Sequence, residues 1–391
     1  MQIENFKIRS GRSLIIAEIG NNHNGDIDIA KSMIDAAIES GADCVKFQMR
    51  QMRSLYRESS LSKSGDDLGT EYILDLLGRF ELTVDEHREL YEYASSKNVL
   101  YMCTPWETES LRILESFGVS AYKVASADLT NIPLINSICD TGKPLILSTG
   151  MSTAEEIRTT VDFLNARNAS FALLHCNSTY PAPFQDINLK WMNALREFHP
   201  IIGYSGHERG TSVSIAAVAM GASIIERHFT FDRGWEGPDH AASLTPSEFT
   251  NMVNGIREVE LALGDQETRK LSQGELINRE NLSKSLVASK HLKIGTIVTP
   301  KDVKVLSPGQ GLSPQFLNEL VGITLNRDVE LEGFFFRSDI TGEVERVGTY
   351  KFKRPWGVPV RYHDINEYLG KTNLDLVEFH LLIQIVLHLL L

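Results

Sequence analysis

Two lysines sit where lysine is usually excluded. Lys46 lies inside the apolar run CVKFQ (44 to 48) and Lys123 inside AYKVAS (121 to 126); a buried ammonium is costly unless it is paired or meets an anion. Similar runs end in hydroxyl groups at Thr104, Ser126, Ser148 and Ser205. Two ammoniums surrounded by such hydroxyls form a cradle for a phosphate and a carboxylate. The competing structural reading has one lysine snorkelling to water while the hydroxyls satisfy backbone groups.

Two histidines close consecutive runs, His207 in IIGYSGH (201 to 207) and His228 in SIIERHF (223 to 229). Paired imidazoles with a carboxylate nearby suit a divalent metal that polarises an oxygen as a Lewis acid. Glu226, two residues before His228, shares its face of a strand and is the candidate carboxylate. Otherwise each imidazole bonds to backbone, and His23, His175 and His240 are supporting or structural. Glu18 leaves the first run straight into the polar stretch AEIGNNHNGD (17 to 26). A carboxylate there exchanges a proton with substrate if burial tunes its pKa, or else accepts turn amides. The loop GWEGPDHAASLTP (234 to 246) is long enough to fold over a mouth as a lid before a helix begins near Ser247.

The elements that must bring these groups together are short runs rich in Val, Ile and Leu. They are LIIAEIG (14 to 20), CVKFQ, VLYMCTP (99 to 105), AYKVAS, PLILSTG (144 to 150), FALLHC (171 to 176), IIGYSGH and SIIERHF. Helical patterns such as AKSMIDAAIESG, VDEHRELYEYASSKN and TAEEIRTTVDFLNAR alternate with them. Continuous apolar runs imply parallel strands covered on both faces. Eight such units in about 250 residues predict a (β/α)8 barrel, a TIM barrel. A doubly wound sheet is the rival, but no G-x-G-x-x-G follows the first run. Reactive groups of a parallel barrel stand at strand carboxyl ends. Those ends also supply Gln48, Asp128, Asn177, Ser178 and Tyr180. The predicted organisation is a barrel over 1–263, a polar linker over 264–283, a small β-rich domain over 284–341 and a C-terminal extension over 342–391. The extension carries one strand signal at Leu376 to Leu381 and reads as the start of a further α/β unit.

The totals exclude some classes of function. A net charge of −12 without a local basic run gives no footprint for nucleic acid. No stretch reaches the roughly 18 apolar residues of a membrane span. Cys44, Cys103, Cys139 and Cys176 lack metal spacing, which predicts buried thiols in a reducing cytoplasm. The expected partners are small molecules.

Taken in order, AEIGNNHNGD, CVKFQ, AYKVASADLTNIPLI, PLILSTGMS, LLHCNSTYPAPFQDINL, GYSGHERG, SIIERHFT and GPDHAASLTP resemble the sialic acid synthase family over about 14 to 341. That family includes the N-acetylneuraminate and legionaminate synthases, and the β-rich region is similar to its antifreeze-like (SAF) domain. The resemblance implies a transferase that condenses phosphoenolpyruvate with an open-chain N-acetylated amino sugar, giving a nine-carbon 2-keto acid and phosphate. It also implies a divalent Mn or Mg ion and a domain-swapped homodimer. By the same resemblance Glu18 is the acid/base, and His207 and His228 hold the metal. Lys46, Thr104, Ser126 and Ser148 hold the phosphate, Lys123 and Ser205 the carboxylate. Gln48, Tyr180 and Asp239 lie near the sugar. Three positions depart from the family pattern. Asp128 replaces a common Glu, Asn177-Ser178 differs from members with Asn at the second position, and Ser307 replaces the arginine of an Arg-Pro-Gly line that reads the N-acetyl group. The last change makes a differently substituted sugar, as in legionaminate synthesis, an alternative to N-acetylmannosamine. Two other readings compete: a Schiff-base aldolase using Lys46 or Lys123 as nucleophile, and a non-catalytic carbohydrate-binding protein.

Overall fold

The computed structural model describes residues 1–8, 11–57, 70–264 and 268–342, with two further strands at Gly357–Val360 and Leu376–Phe379. The chain divides into two compact units, Met1–Gln266 and Glu267–Leu391.

In the first unit a hairpin of β1 (Gln2–Ile3) and β2 (Phe6–Lys7) precedes eight parallel strands. These are β3 (Leu14–Gly20), β4 (Cys44–Met49), β5 (Leu100–Pro105), β6 (Tyr122–Val124), β7 (Leu145–Ser148), β8 (Phe171–Cys176), β9 (Ile202–Gly206) and β10 (Ile224–His228). They close in sequence order, with β10 returning to β3. Each predicted run coincides with one strand of the barrel to within two residues at either end. The helices between them start where their caps dictate. Asp26 accepts from the amides of Asp28 and Ile29 to open Ile27–Glu39, and Thr83 and Thr153 form reciprocal capping boxes with Glu86 and Glu156.

Alternation along each strand splits the side chains into two sets. Ile15, Ala17, Val45, Phe47, Leu173 and Ile225 point outward and pack with the helices in the larger apolar core. Leu14, Ile16, Cys44, Met102, Ala121, Ile146, Ala172, Leu174 and Ile224 form a second apolar cluster with Ile3 and Ile8. That cluster fills the lower barrel, and the hairpin stoppers it. The hairpin was not foreseen, because two-residue strands carry no periodicity.

The second unit opens with the exposed helix Gln273–Leu282, capped by Ser272 and Glu275, inside the span predicted as a linker. Strands β11 (Ser285–Ala288) and β12 (Val303–Leu306) pair antiparallel around a core that includes Leu286, Leu292, Leu320, Val329 and Phe335. Arg327 clamps the buried Asp339 with two hydrogen bonds of 2.8 and 2.7 Å. Further on, β13 (Gly357–Val360) pairs parallel with β14 (Leu376–Phe379). The foreseen strand is therefore present over Leu376–Phe379. The rest of 343–391 lies outside the described residues.

Gly203 marks a tight approach of backbone between neighbouring strands, since a Cβ there would lie 2.4 Å from the Ile224 carbonyl oxygen and 2.5 Å from Leu174. Gly203→Ala is expected to cost about 1–3 kcal/mol by overpacking, read as a lower urea midpoint with unchanged slope. An unaltered midpoint would show that β9 and β10 are not so closely apposed.

Candidate active site

Polarity along the inward faces changes with height. One step of two residues above the apolar cluster, the same faces carry Glu18, Lys46, Thr104, Lys123, Ser148, Cys176, Ser205 and Glu226. A further step reaches Gln48, Trp106, Ser178, His207 and His228. All of these line one cavity of about 250 Å³, together with Ser126 and Tyr180. The barrel thus has a greasy floor and a charged upper chamber.

The charged layer is organised around Glu226. Its carboxylate lies 3.3 Å from the Lys46 ammonium and 3.9 Å from that of Lys123, and it accepts from the Ser205 hydroxyl at 3.1 Å. Burial alone would raise its pKa, but Lys123 and Lys46 hold it down at about 2. Glu226 had been the candidate carboxylate for the two imidazoles, and the structure corrects this. It shares the face of His228 but sits one step deeper, about 7 Å along the strand, between the ammoniums.

Lys46 also pairs with Glu18 at 3.2 Å and reaches Thr104 Oγ1 at 3.4 Å. Burial disfavours its charge, yet Glu18 and Glu226 together raise its pKa above the ordinary value. Lys123 donates to Ser148 Oγ at 2.7 Å and to the Val124 carbonyl at 3.0 Å. Burial lowers it to about 8 despite Glu226. Neither lysine snorkels: both are fully enclosed. Burial pushes Glu18 up to about 7, opposed by Lys46 and reinforced by Glu226. With Glu18 protonated, two ammoniums face one carboxylate, so the chamber carries surplus positive charge, suited to an anion.

The two imidazoles lie 5.3 Å apart between ring centres, and Tyr180 stacks on His207 at 4.0 Å. His207 Nδ1 lies 2.6 Å from the Asn177 carbonyl, which can only accept, so this nitrogen carries a proton and the neutral ring presents its lone pair at Nε2. His228 Nδ1 is buried without a hydrogen-bond partner. Two such nitrogens fit a divalent ion. No group of three or more His, Cys, Asp or Glu is placed to hold one among the described residues. Such an ion would therefore have two protein ligands, its other positions falling to water and substrate.

Three residues singled out in the sequence do not line this chamber. Asp128 accepts from Asn131 Nδ2 at 2.8 Å, Asn177 donates to the Asp186 carbonyl at 3.0 Å beside a neighbouring cavity, and Asp239 stands 3.8 Å from His228 Nδ1. The crowded AEIGNNHNGD turn proves mostly architectural. Asn22 donates to Phe229 O and Ser243 Oγ, Asn24 to Glu236 O, His23 Nδ1 accepts from Gly25 N, and Asp26 caps a helix. Only Glu18 of that stretch faces the cavity. The 234–246 loop is fastened to the same turn. His240 bonds Thr230 at 2.8 Å and Asn24 at 3.0 Å, and the next helix starts at Pro246. No residue of the loop lines the chamber, so here it is a clasp at the edge and not a cover. His175 alternates outward and bonds the Ile187 carbonyl at 2.6 Å. Sequence reasoning missed Trp106 and Cys176 in the lining; extending the period-two pattern by one step up β5 and β8 would have found both.

The NeuB family model matches residues 33–268 and the SAF domain model residues 283–330. The chain is 39% identical to the N,N'-diacetyllegionaminic acid synthase of Campylobacter jejuni over 80% of its own length and 95% of that protein. Identity to the human N-acetylneuraminate-9-phosphate synthase is 37%, covering 79% and 87% of the two chains. The crystal structure of N-acetylneuraminic acid synthetase from Leptospira borgpetersenii, in complex with citrate, superimposes with a TM-score of 0.65 at 34% identity, covering 72% of this chain and 96% of that one. No helix among the described residues is long and apolar enough to cross a membrane. Strand order, chamber and these likenesses agree, and the chain belongs to the NeuB family of synthases, with a C-terminal SAF domain.

Proposed function

We propose that this protein is a nonulosonic acid synthase, joining phosphoenolpyruvate to an open-chain N-acetylated amino sugar and releasing phosphate. The observation that carries the reading is the enclosed pair Lys46 and Lys123, which share Glu226 and are ringed by hydroxyls. Phosphoenolpyruvate brings a phosphate and a carboxylate to that chamber. Lys46, Thr104, Ser126 and Ser148 would take the first, Lys123 and Ser205 the second.

The reaction forms a bond between the methylene carbon of phosphoenolpyruvate and the sugar aldehyde carbon. The aldehyde oxygen gains a proton and becomes a hydroxyl. Water then adds at the ketone-forming carbon and loses one proton; the carbon–oxygen bond to phosphate breaks as the new hydroxyl becomes the ketone, its proton leaving with the phosphate. One proton is consumed and one released. Glu18, poised near neutrality by burial, can give the first and accept the second. A divalent ion held by His207 and His228 would polarise the aldehyde oxygen as a Lewis acid. The enclosed, preorganised charges and the exclusion of water would supply most of the rate. A homodimer with exchanged SAF domains and a cytoplasmic location belong to the same reading.

Ser307 bears on which sugar is used. It accepts a hydrogen bond from Lys284 Nζ, and by the sequence resemblance it replaces an arginine that reads an N-acetyl group. Together with the 39% identity to an N,N'-diacetyllegionaminic acid synthase, this favours a 6-deoxy diacetamido sugar over N-acetylmannosamine. One observation favours a second reading, an aldolase: the Lys123 ammonium, lowered to about 8 by burial, approaches the range of a nucleophilic amine. Borohydride trapping in the presence of substrate separates the two, since only the aldolase leaves a covalent adduct on lysine.

The decisive measurement is phosphate release from phosphoenolpyruvate against a panel of N-acetylated hexosamines. Turnover is expected with a diacetamido sugar, abolished by chelation and restored by Mn; activity undiminished in excess chelator would exclude the ion. Gly150→Ala tests the anion cradle, because its Cβ would stand 2.3 Å from Ser178 Oγ and 2.8 Å from Ser126 Oγ. The KM for phosphoenolpyruvate should rise on the order of tenfold or more, as expected when about 1.4 kcal/mol or more of binding is lost; an unchanged KM would place the phosphate elsewhere. For Glu18 the sign follows from its raised pKa. The folded state binds its proton more tightly than the unfolded chain, so the stability it contributes is present below about 4.5 and is lost as pH rises through about 7. Glu18→Gln removes that dependence while abolishing turnover. Its melting temperature should improve relative to the parent between pH 5 and 7 and then level off; a constant difference across that range would show that Glu18 is not desolvated.

A further inference from the structure

Glu18 is held on two sides, by Lys46 and by an amide. Gln48 Nε2 donates to Glu18 Oε1 at 2.6 Å. The two ends of an amide are interchangeable in shape, so its orientation must be justified by its other partners. Gln48 Oε1 receives two donors, the Arg50 guanidinium through Nη2 and the Trp106 indole Nε1 at 3.3 Å. Neither of these groups can accept a hydrogen bond. A flipped amide would press its NH2 against two obligate donors, one of them cationic, and turn its oxygen toward a carboxylate. Arg50 has little freedom to release the amide. It is buried, its Nη1 donates to Asn21 Oδ1 at 3.1 Å, and its guanidinium lies 4.4 Å over the Trp106 ring. Arg50 itself lies outside the chamber lining.

We propose that Arg50 and Trp106 are positioning residues that act through Gln48. By occupying its carbonyl oxygen they aim its amide N–H at Glu18 and fix the rotamer of the proton-exchanging carboxylate. Glu18 Oε1 is thereby committed as an acceptor. Its Oε2 pairs with Lys46 Nζ at 3.2 Å and has no other polar partner, and it is the oxygen left to meet a reacting group. This inference rests on the synthase reading of Glu18.

A double-mutant cycle on the full chain tests it, reading phosphate release from phosphoenolpyruvate with a 6-deoxy diacetamido hexose or N-acetylmannosamine. Arg50→Met should lower kcat on the order of ten- to a hundredfold, with the KM for phosphoenolpyruvate changed by less than about twofold. In a Gln48→Ala background the same substitution should alter kcat by no more than about twofold, because the group it acts through is gone. Trp106→Phe keeps the ring and removes the donor; it should show the same non-additivity and carries the test if Arg50→Met does not fold. Losses that multiply independently across the cycle overturn the inference and leave the synthase reading intact. A folded parent that releases no phosphate with either sugar overturns both.

Discussion

The upper barrel depends on one electrostatic constraint: two ammonium groups can share a dry chamber only because Glu226 stands between them. Desolvating any one of these charges is expensive, and removing one partner of a buried ionic cluster leaves the others uncompensated. The arrangement is deliberately unbalanced. Lys46 is doubly countered by Glu18 and Glu226, whereas Lys123 has Glu226 at a longer distance and leans on a hydroxyl and a carbonyl. A dianionic or trianionic ligand would therefore complete a charge pattern that the protein's own carboxylates meet only in part.

The barrel supplies the geometry for this at little cost. Period-two alternation sends every second side chain inward, and parallel in-order strands hold those positions at matched heights. Polarity need only switch from Ile16 to Glu18, Cys44 to Lys46, Met102 to Thr104, Ile146 to Ser148 and Ile224 to Glu226 to create a chamber above a hydrophobic base. This explains why so much of the site was legible in the sequence. A lysine within an apolar run is a local anomaly, and eight such runs with capped helices between them define a closed topology. Glu18, the two lysines, the hydroxyls and the two histidines followed from that reasoning.

What stayed hidden was pairing that depends on depth and on neighbours. The shared parity of Glu226 and His228 suggested one function, but their separation along the strand gives them two. Arg50 and Trp106 lie just past strand ends, in contexts that a linear reading cannot join, and they converge on Gln48 Oε1 while stacking on each other. Asp128 and Asn177 follow strand ends, yet their side chains turn to local partners, Asn131 and the Asp186 carbonyl, and Asp239 stands beside His228 outside the chamber lining. The asparagine-rich turn after β3 misled in the opposite direction. Its polar groups mainly tie the first loop to the last, through Phe229, Ser243, Glu236 and His240, which is how a barrel keeps its closing seam at the rim.

The stopper formed by Ile3 and Ile8 has a kinetic corollary. A tube corked at its lower end has a single doorway, so traffic through it is last in, first out. Whatever settles on the lysine layer must arrive before anything that rests against the histidines and Tyr180 at the rim, and it cannot depart until the rim has cleared. Order of addition is thus written into the plumbing of the barrel, without any moving part.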